Sequence, residues 1–346
     1  MIKITMYSSA TKVAGQGVGS AYHELVTMLK QRFAGDFDIA INHFRSADVS
    51  HYHTIDPTFY LTTFSRKVGR RVGYVHFLPE TLEGSLKIPQ PFRGIFYRYV
   101  IAFYKRMDQL VVVNPAFIDK LVDYGIPRSR VKYIPNFVDH QRFHPVDNEK
   151  KMALRRKFNL PEDRFIVFGS GQVQERKGVP DFIRLARQNP NVQFIWAGGF
   201  SFGRMTDGYQ ELKKVVDNPP ANLWFPGIVS RDEICELNDL SDLFLLPSYD
   251  ELFPMSVLEA MACGLPVMLR DLDLYHGILG GVYEPAKDVS EMQDRLQYLL
   301  HHPKRMTALR RKSHEASVKY SKDHLATVWY NFYQQQAALG QEAHRD

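Results

Sequence analysis

The 346-residue chain has two cysteines, Cys235 and Cys263. Two thiols cannot build the disulfide framework of a small secreted fold, and they fit a reducing compartment. No stretch approaches the roughly 18–20 apolar residues that a membrane-spanning helix needs. The opening Met1-Ile-Lys-Ile-Thr-Met6 lacks a basic segment followed by an apolar one, so no secretory leader is expected. Low-complexity segments and short-period repeats are missing. Histidines lack metal-ligand spacing: His51-x-His53 alone falls short of the three or four ligands of a zinc centre. These absences exclude secreted, membrane-spanning and collagen-like classes. What remains is globular, with 45% hydrophobic and 24% charged residues and a length that suggests two domains.

Lysine and arginine total 44 against 38 aspartate and glutamate, a net charge of +6. That is mild for a nucleic-acid binder, and no nucleic-acid module accompanies it. The distribution says more. Residues 1–145 hold 19 basic and 11 acidic residues, and residues 64–110 alone hold nine and three, which equals the excess of the whole chain.

Short apolar runs alternate with helical patterns throughout. In the first half the strand candidates are 2–7, 37–41, 49–53, 72–77 and 109–113. In the second half they are 165–168, 193–197, 223–225, 243–246 and 266–269. Helical patterns cover 180–188, 209–216, 231–240 and 257–263. Such alternation predicts parallel sheets in an α/β protein. The expected division is residues 1–147 and 148–323, with an aromatic-rich helix from about 324 to 346 that can pack back on the first unit. Two α/β units of similar size predict a cleft between Rossmann-like domains, with ligands at the carboxyl ends of strands.

The strongest chemical signal is Glu251-Leu-Phe253-Pro254-Met255-Ser-Val-Leu-Glu259-Ala-Met-Ala-Cys263-Gly264-Leu-Pro266-Val267. Pro254 suits a first helical position and Gly264 a helix end. Glu251 then lies in a loop before a helix, within reach of ligand hydroxyls, and the helix start suits a phosphate. A lone glutamate there reads more simply as a cap. Arg176 and Lys177 follow the strand at 165–168 and a glycine-bearing turn. Arginine suits bidentate phosphate contact and lysine a point charge, although alone the pair also reads as solvated surface. Gly15-Gln16-Gly17-Val18-Gly19 follows the first strand and opens a helix, without the dinucleotide fingerprint spacing. Asp271-x-Asp273 has the spacing of a metal–nucleotide device of other transferases, but its place after a strand suits loop capping. No metal is expected.

These strings resemble the signature of retaining glycosyltransferases of family four, which have two glutamates eight positions apart and then a small-residue helix ending in Ala-x-Gly-x-Pro-Val. Gly15–Gly19, Val131–Pro145 and Gly171–Gly178 extend the resemblance over nearly the whole chain. It implies the GT-B fold, two Rossmann-like domains facing across a cleft, and a UDP-hexose donor. By this resemblance Glu259 binds the ribose and Glu251 the donor sugar's hydroxyls, while Arg176 and Lys177 hold the diphosphate. His76, at a strand end, lies beside the donor sugar. Gly17, Phe253, Pro254 and Met255 belong to the donor site, with Phe225 and Gly227 near the base. Transfer proceeds on one face, the leaving phosphate oxygen accepting the acceptor's proton.

Aromatic and basic residues interleave through Arg66, Lys67, Arg70 and Arg71 and then Phe92, Phe96, Tyr97, Arg98, Lys105 and Arg106. That mixture suits an interfacial helix on an anionic membrane, and equally a core helix with a solvated basic face. Met6-Tyr-Ser-Ser and Gly73-Tyr-Val-His76-Phe-Leu-Pro-Glu80-Thr-Leu resemble the glycolipid-forming branch in Gram-positive bacteria. This resemblance implies a peripheral enzyme on the cytoplasmic face of the cell membrane. It would glycosylate monoglucosyldiacylglycerol to a diglycosyldiacylglycerol of the lipoteichoic acid anchor type. Diacylglycerol itself, a soluble polysaccharide or teichoic-acid acceptor, and a non-catalytic partner-binding protein are the alternatives.

Overall fold

The computed structural model describes residues 1–10, 17–79, 90–201, 203, 206 and 208–342. The expectations for Gly15, Gln16 and Glu80 to Leu82 lie outside the described residues.

In the first half the strands are β1 (Ile2–Tyr7), β2 (Phe37–Ile41), β3 (Val49–Tyr52), β4 (Arg70–Val75), β5 (Gln109–Val112) and β6 (Val131–Tyr133). They pair in parallel in the order β2-β1-β3-β4-β5-β6. The second half has β7 (Ile166–Ser170), β8 (Gln193–Ala197), β9 (Leu223–Gly227), β10 (Leu243–Leu246), β11 (Val267–Arg270) and β12 (Glu284–Ala286). These also run parallel, in the order β12-β11-β10-β7-β8-β9. The innermost strand β10, Leu243-Phe-Leu-Leu246, is apolar along its whole length, because helices cover both faces of a parallel sheet. This is the GT-B fold, two Rossmann-like units. Strands β6 and β12 were not anticipated. Each has three residues and lies at a sheet edge, where Pro285 costs no ladder hydrogen bond.

Each strand order reverses once, between β1 and β3 and between β10 and β7, and a crevice opens at the carboxyl ends there. The helix Met255–Ala262 follows β10. Pro254 is its N-cap, at φ −70° and ψ 132°, rather than its first helical residue, because that ψ is extended. Gly264 ends the helix at φ +71°, with its N–H on Met261 O and the Leu265 N–H on Ala260 O. That is a Schellman closure, which favours glycine.

The helix Lys322–Glu342 packs on the first sheet. Tyr333 OH meets His51 Nδ1 at 2.7 Å, and Arg70 Nε donates to Gln336 Oε1 at 3.1 Å. The chain crosses back where Val138 N donates to Tyr320 O and Lys322 N to Val138 O, both at 2.9 Å.

The helix Asn148–Lys157 is riveted to the second sheet by Asp242. Its carboxylate accepts from Arg155 Nη2 at 2.7 Å, Lys151 Nζ at 2.5 Å and Ile166 N at 2.8 Å. Burial alone would raise the Asp242 pKa; the Lys151 and Arg155 charges outweigh it and hold the group below its usual value. Asp242→Ala leaves two buried cations unpaired, and urea unfolding at pH 7 should show a loss of about 3–5 kcal/mol. A carboxyl with a depressed folded pKa stabilises above its unfolded pKa and loses that contribution as pH falls through the folded one. The gap between wild type and variant should therefore close below about pH 4.

Candidate active site

Arg176 and Lys177 lie in the 3-10 turn Glu175–Lys177 after β7, and Glu251 lies in the loop after β10. The crevice of the second sheet thus receives all three. Lys177 Nζ forms an ion pair with Glu251 Oε1, with side chains 14% and 6% exposed. Arg176 Nη1 donates to Asp250 O at 2.5 Å, and Arg176 O accepts from Tyr249 N at 2.8 Å. Arg176 Nε is buried with no partner among the described residues. The turn closes through Gly178 at φ +70°, where a Cβ would lie 2.1 Å from Pro247 O. Burial lowers the Lys177 pKa, only partly offset by Glu251. For Glu251 burial acts upward, but Lys177 and Arg176 hold the carboxyl below its usual value.

A second arginine bridges the two halves. Arg231, at the start of the helix Arg231–Asp239, forms an ion pair with Glu259 of the Met255–Ala262 helix and meets Glu24 Oε1 at 3.2 Å. Glu24 comes from the first-half helix Gly17–Arg32, which Gly17 opens. The loop after β10 is also held from the first half. Asn114 Nδ2 donates to Leu252 O and Asn136 Nδ2 to Phe253 O, both at 2.9 Å. A cavity of about 10 Å³, room for one water, lies between the halves and is lined by Glu24, Tyr74, Asn136, Met255 and Trp329. Phe253 is buried, its ring 5.0 Å from Tyr320, and Phe225 and Gly227 are half-buried at the end of β9. Asp271 accepts from His276 Nε2 at 2.7 Å, and Asp273 starts the helix Asp273–Leu279.

His76 follows β4, its ring stacked on Tyr74 at 4.4 Å. It belongs to a cluster with His53, which lies 4.1 Å from His51. These ring contacts are within the first half and do not reach the Lys177–Glu251 pair. Burial pushes His51 and His76 down to about 3, and His53 well below its usual value.

The basic segment divides. Arg71 grips Asp108 at 2.7 and 2.9 Å, Arg70 meets Gln336, and Arg106 donates to Thr63 O at 2.8 Å with its guanidinium 4.3 Å from the Phe64 ring. Arg66, Lys67, Arg98 and Lys105 are exposed. On the helix Gln90–Lys105, Val100, Phe103 and Tyr104 face the core, Phe96 and Tyr97 are half-buried, and Phe92 and Ile95 are 63% and 68% exposed. No helix among the described residues is long and apolar enough to cross a membrane.

Comparison with known proteins agrees with this architecture. A family model described as glycosyl transferases group 1 matches residues 150–316, and one described as glycosyltransferase family 4 matches residues 18–142. The chain is 53% identical over 342 residues to the alpha-galactosylglucosyldiacylglycerol synthase of Streptococcus pneumoniae, covering 99% of this chain and 91% of that one. The chain belongs to glycosyltransferase family four. A processive diacylglycerol alpha-glucosyltransferase of Acholeplasma laidlawii is 33% identical over 207 residues, 57% of this chain and 61% of the relative. Among solved structures, Anabaena HepE in complex with UDP and glucose superposes with a TM-score of 0.78 at 16% identity, over 96% of this chain and all of that one. Sucrose-phosphate synthase of Thermosynechococcus elongatus gives 0.82 at 16%, over 98% of this chain and all of that one. In this glycosyltransferase, the contacts of Arg231 with Glu24 and Glu259, and of Asn114 with Leu252 O, are ones that the sequence reading passed over.

The neutral histidine cluster sets a pH dependence. Its members take up a proton below about pH 6.5 when unfolded but not when folded. Stability to urea should therefore fall as pH drops through that value, and His51→Phe should flatten the slope.

Proposed function

We propose that this glycosyltransferase moves glucose or galactose from a UDP-sugar onto monoglucosyldiacylglycerol, with retention of anomeric configuration, to make a diglycosyldiacylglycerol. The carrying observation is the convergence of Arg176, Lys177 and Glu251 at the crevice between β7 and β10. Residues 148–323 bind the donor in this reading, and residues 1–147 the acceptor and membrane. As the bond from the anomeric carbon to the phosphate oxygen breaks, the diphosphate gains negative charge. Arg176, through its unpartnered Nε, and Lys177 meet that charge without a metal. The acceptor hydroxyl bonds to the anomeric carbon from the same face, and its proton passes to the leaving phosphate oxygen. Glu251 spends one oxygen on Lys177 and turns the other to sugar hydroxyls. Glu259, oriented by Arg231, accepts from the ribose. The Gly17 helix start, Phe253, Pro254, Met255, Phe225 and Gly227 shape the donor pocket, and His76 borders the sugar as a neutral ring. The names of the pneumococcal and Acholeplasma relatives support a glycolipid acceptor, and the UDP held by HepE supports the donor class.

The exposed Phe92, Ile95, Arg66, Lys67, Arg98 and Lys105 dock the enzyme peripherally on the anionic, cytoplasmic face of the membrane. Each cation near such a surface adds about 1 kcal/mol. Arg70, Arg71, Arg106, Phe96 and Tyr97 shape the helix that presents them.

Purified enzyme with labelled UDP-glucose or UDP-galactose and vesicles of monoglucosyldiacylglycerol should yield a diglycosyl lipid. Product on diacylglycerol alone, or only on a soluble acceptor, would refute the acceptor assignment. Lys177→Ala should lower kcat by about 10²–10³-fold with the circular dichroism spectrum unchanged. In co-sedimentation, a Phe92→Ser, Ile95→Ser double variant should lose binding to anionic vesicles, and raised salt should weaken the wild type.

A further inference from the structure

A second cluster of reactive side chains lies on the far side of the Arg231–Glu259 pair. Cys235 and Asp239 are four residues apart on the helix Arg231–Asp239, hence on one face, and Cys263 caps the helix Met255–Ala262. The two sulfurs and a carboxylate oxygen of Asp239 lie within 4.8 Å of one another. The Asp239 side chain is 2% exposed. Its Oδ2 meets Lys150 Nζ at 3.3 Å, and its buried Oδ1 has no hydrogen-bond partner among the described residues. Cys235 is half-buried and its thiol donates to Arg142 O at 3.0 Å, so the cluster is reached from the surface beside the chain that links the halves.

We propose that Cys235, Cys263 and Asp239 form a zinc site, distinct from the donor crevice. Tetrahedral zinc binds thiolate at about 2.3 Å and carboxylate at about 2.0–2.2 Å. Its ligand atoms then stand a little under 4 Å apart, by tetrahedral geometry from those bonds, so a small contraction of the present cluster suffices. Two thiolates with one carboxylate favour zinc over magnesium or calcium, which take oxygen alone. A water completes the four-coordinate set. Binding releases the two thiol protons to solvent.

The position has a mechanical consequence. Arg231 and Cys235 are one turn apart on the first helix, as are Glu259 and Cys263 on the second. The ion pair and the zinc site are therefore successive rungs between the same two helices. Zinc holds their register and with it the Arg231–Glu259 contact.

The full chain, reduced and metal-free, is titrated with cobalt(II) under anaerobic conditions and then with zinc(II). One equivalent of cobalt should bind with thiolate-to-cobalt absorption in the near ultraviolet, bleached by zinc. Cys235→Ser and Cys263→Ser should each remove the band, Asp239→Asn should weaken binding, and zinc should raise the Tm of wild type but not of the double cysteine variant. Cys235 is half-buried, so C235S tests the site even where C263S unfolds. Absence of the band at one equivalent, or its persistence in the double cysteine variant, overturns the proposal. None of these readouts depends on glycosyl transfer.

Discussion

A lysine ammonium taken out of water needs a carboxylate, and in this protein the two come from different strands. Lys177 follows β7 and Glu251 follows β10, neighbours only because the sheet order reverses between them. The pair forces the turn after β7 against the loop after β10. Gly178 permits the approach, since any side chain there would collide with Pro247 O. The carbonyl of Arg176 then anchors Tyr249 N and the Ser248 hydroxyl, at 2.8 and 3.1 Å. Below it, Asp181 takes hydrogen bonds from Arg270 at 2.5 Å and Tyr249 at 2.6 Å. Desolvation makes each of these contacts obligatory, because an unpaired buried charge costs several kcal/mol, about the stability of a modest domain.

The same loop is held from across the cleft. Asn114 and Asn136 cap the Leu252 and Phe253 carbonyls, and Arg231 reaches both Glu24 and Glu259. Opening the halves breaks the Glu24 contact and the two asparagine contacts while leaving Lys177–Glu251 intact, because that pair belongs wholly to one sheet. The charge pair thus rests on the second sheet, while the next two residues of the loop are held from the first half.

The basic segment shows how charge in sequence differs from charge in space. Three of its arginines, Arg70, Arg71 and Arg106, are engaged by Gln336, Asp108 and Thr63. The cations left exposed share the surface of the first half with Phe92 and Ile95. A helix whose buried stripe is Val100, Phe103 and Tyr104 has already satisfied its core, so those two large apolar side chains are surplus to folding.

Apolar runs flanked by turn residues were enough to read ten of the strands, because a strand buried on both faces is mostly apolar, as in β8 and above all β10. The Glu251–Val267 string was legible for a similar reason: loop, cap, helix and Schellman glycine are local chemistry. The three-residue edge strands β6 and β12 carried too few residues to show a pattern. Tertiary structure alone decided that Arg231 joins Glu24 to Glu259, that Arg71 belongs to Asp108, and that Cys235, Asp239 and Cys263 converge. Each of these joins residues tens to hundreds of positions apart or on separate helices, and no local spacing encodes it. Sequence by itself determined the elements and the residue types at their ends; the order of strands determined which ends meet, because parallel crossovers bring distant loops to one edge of a sheet.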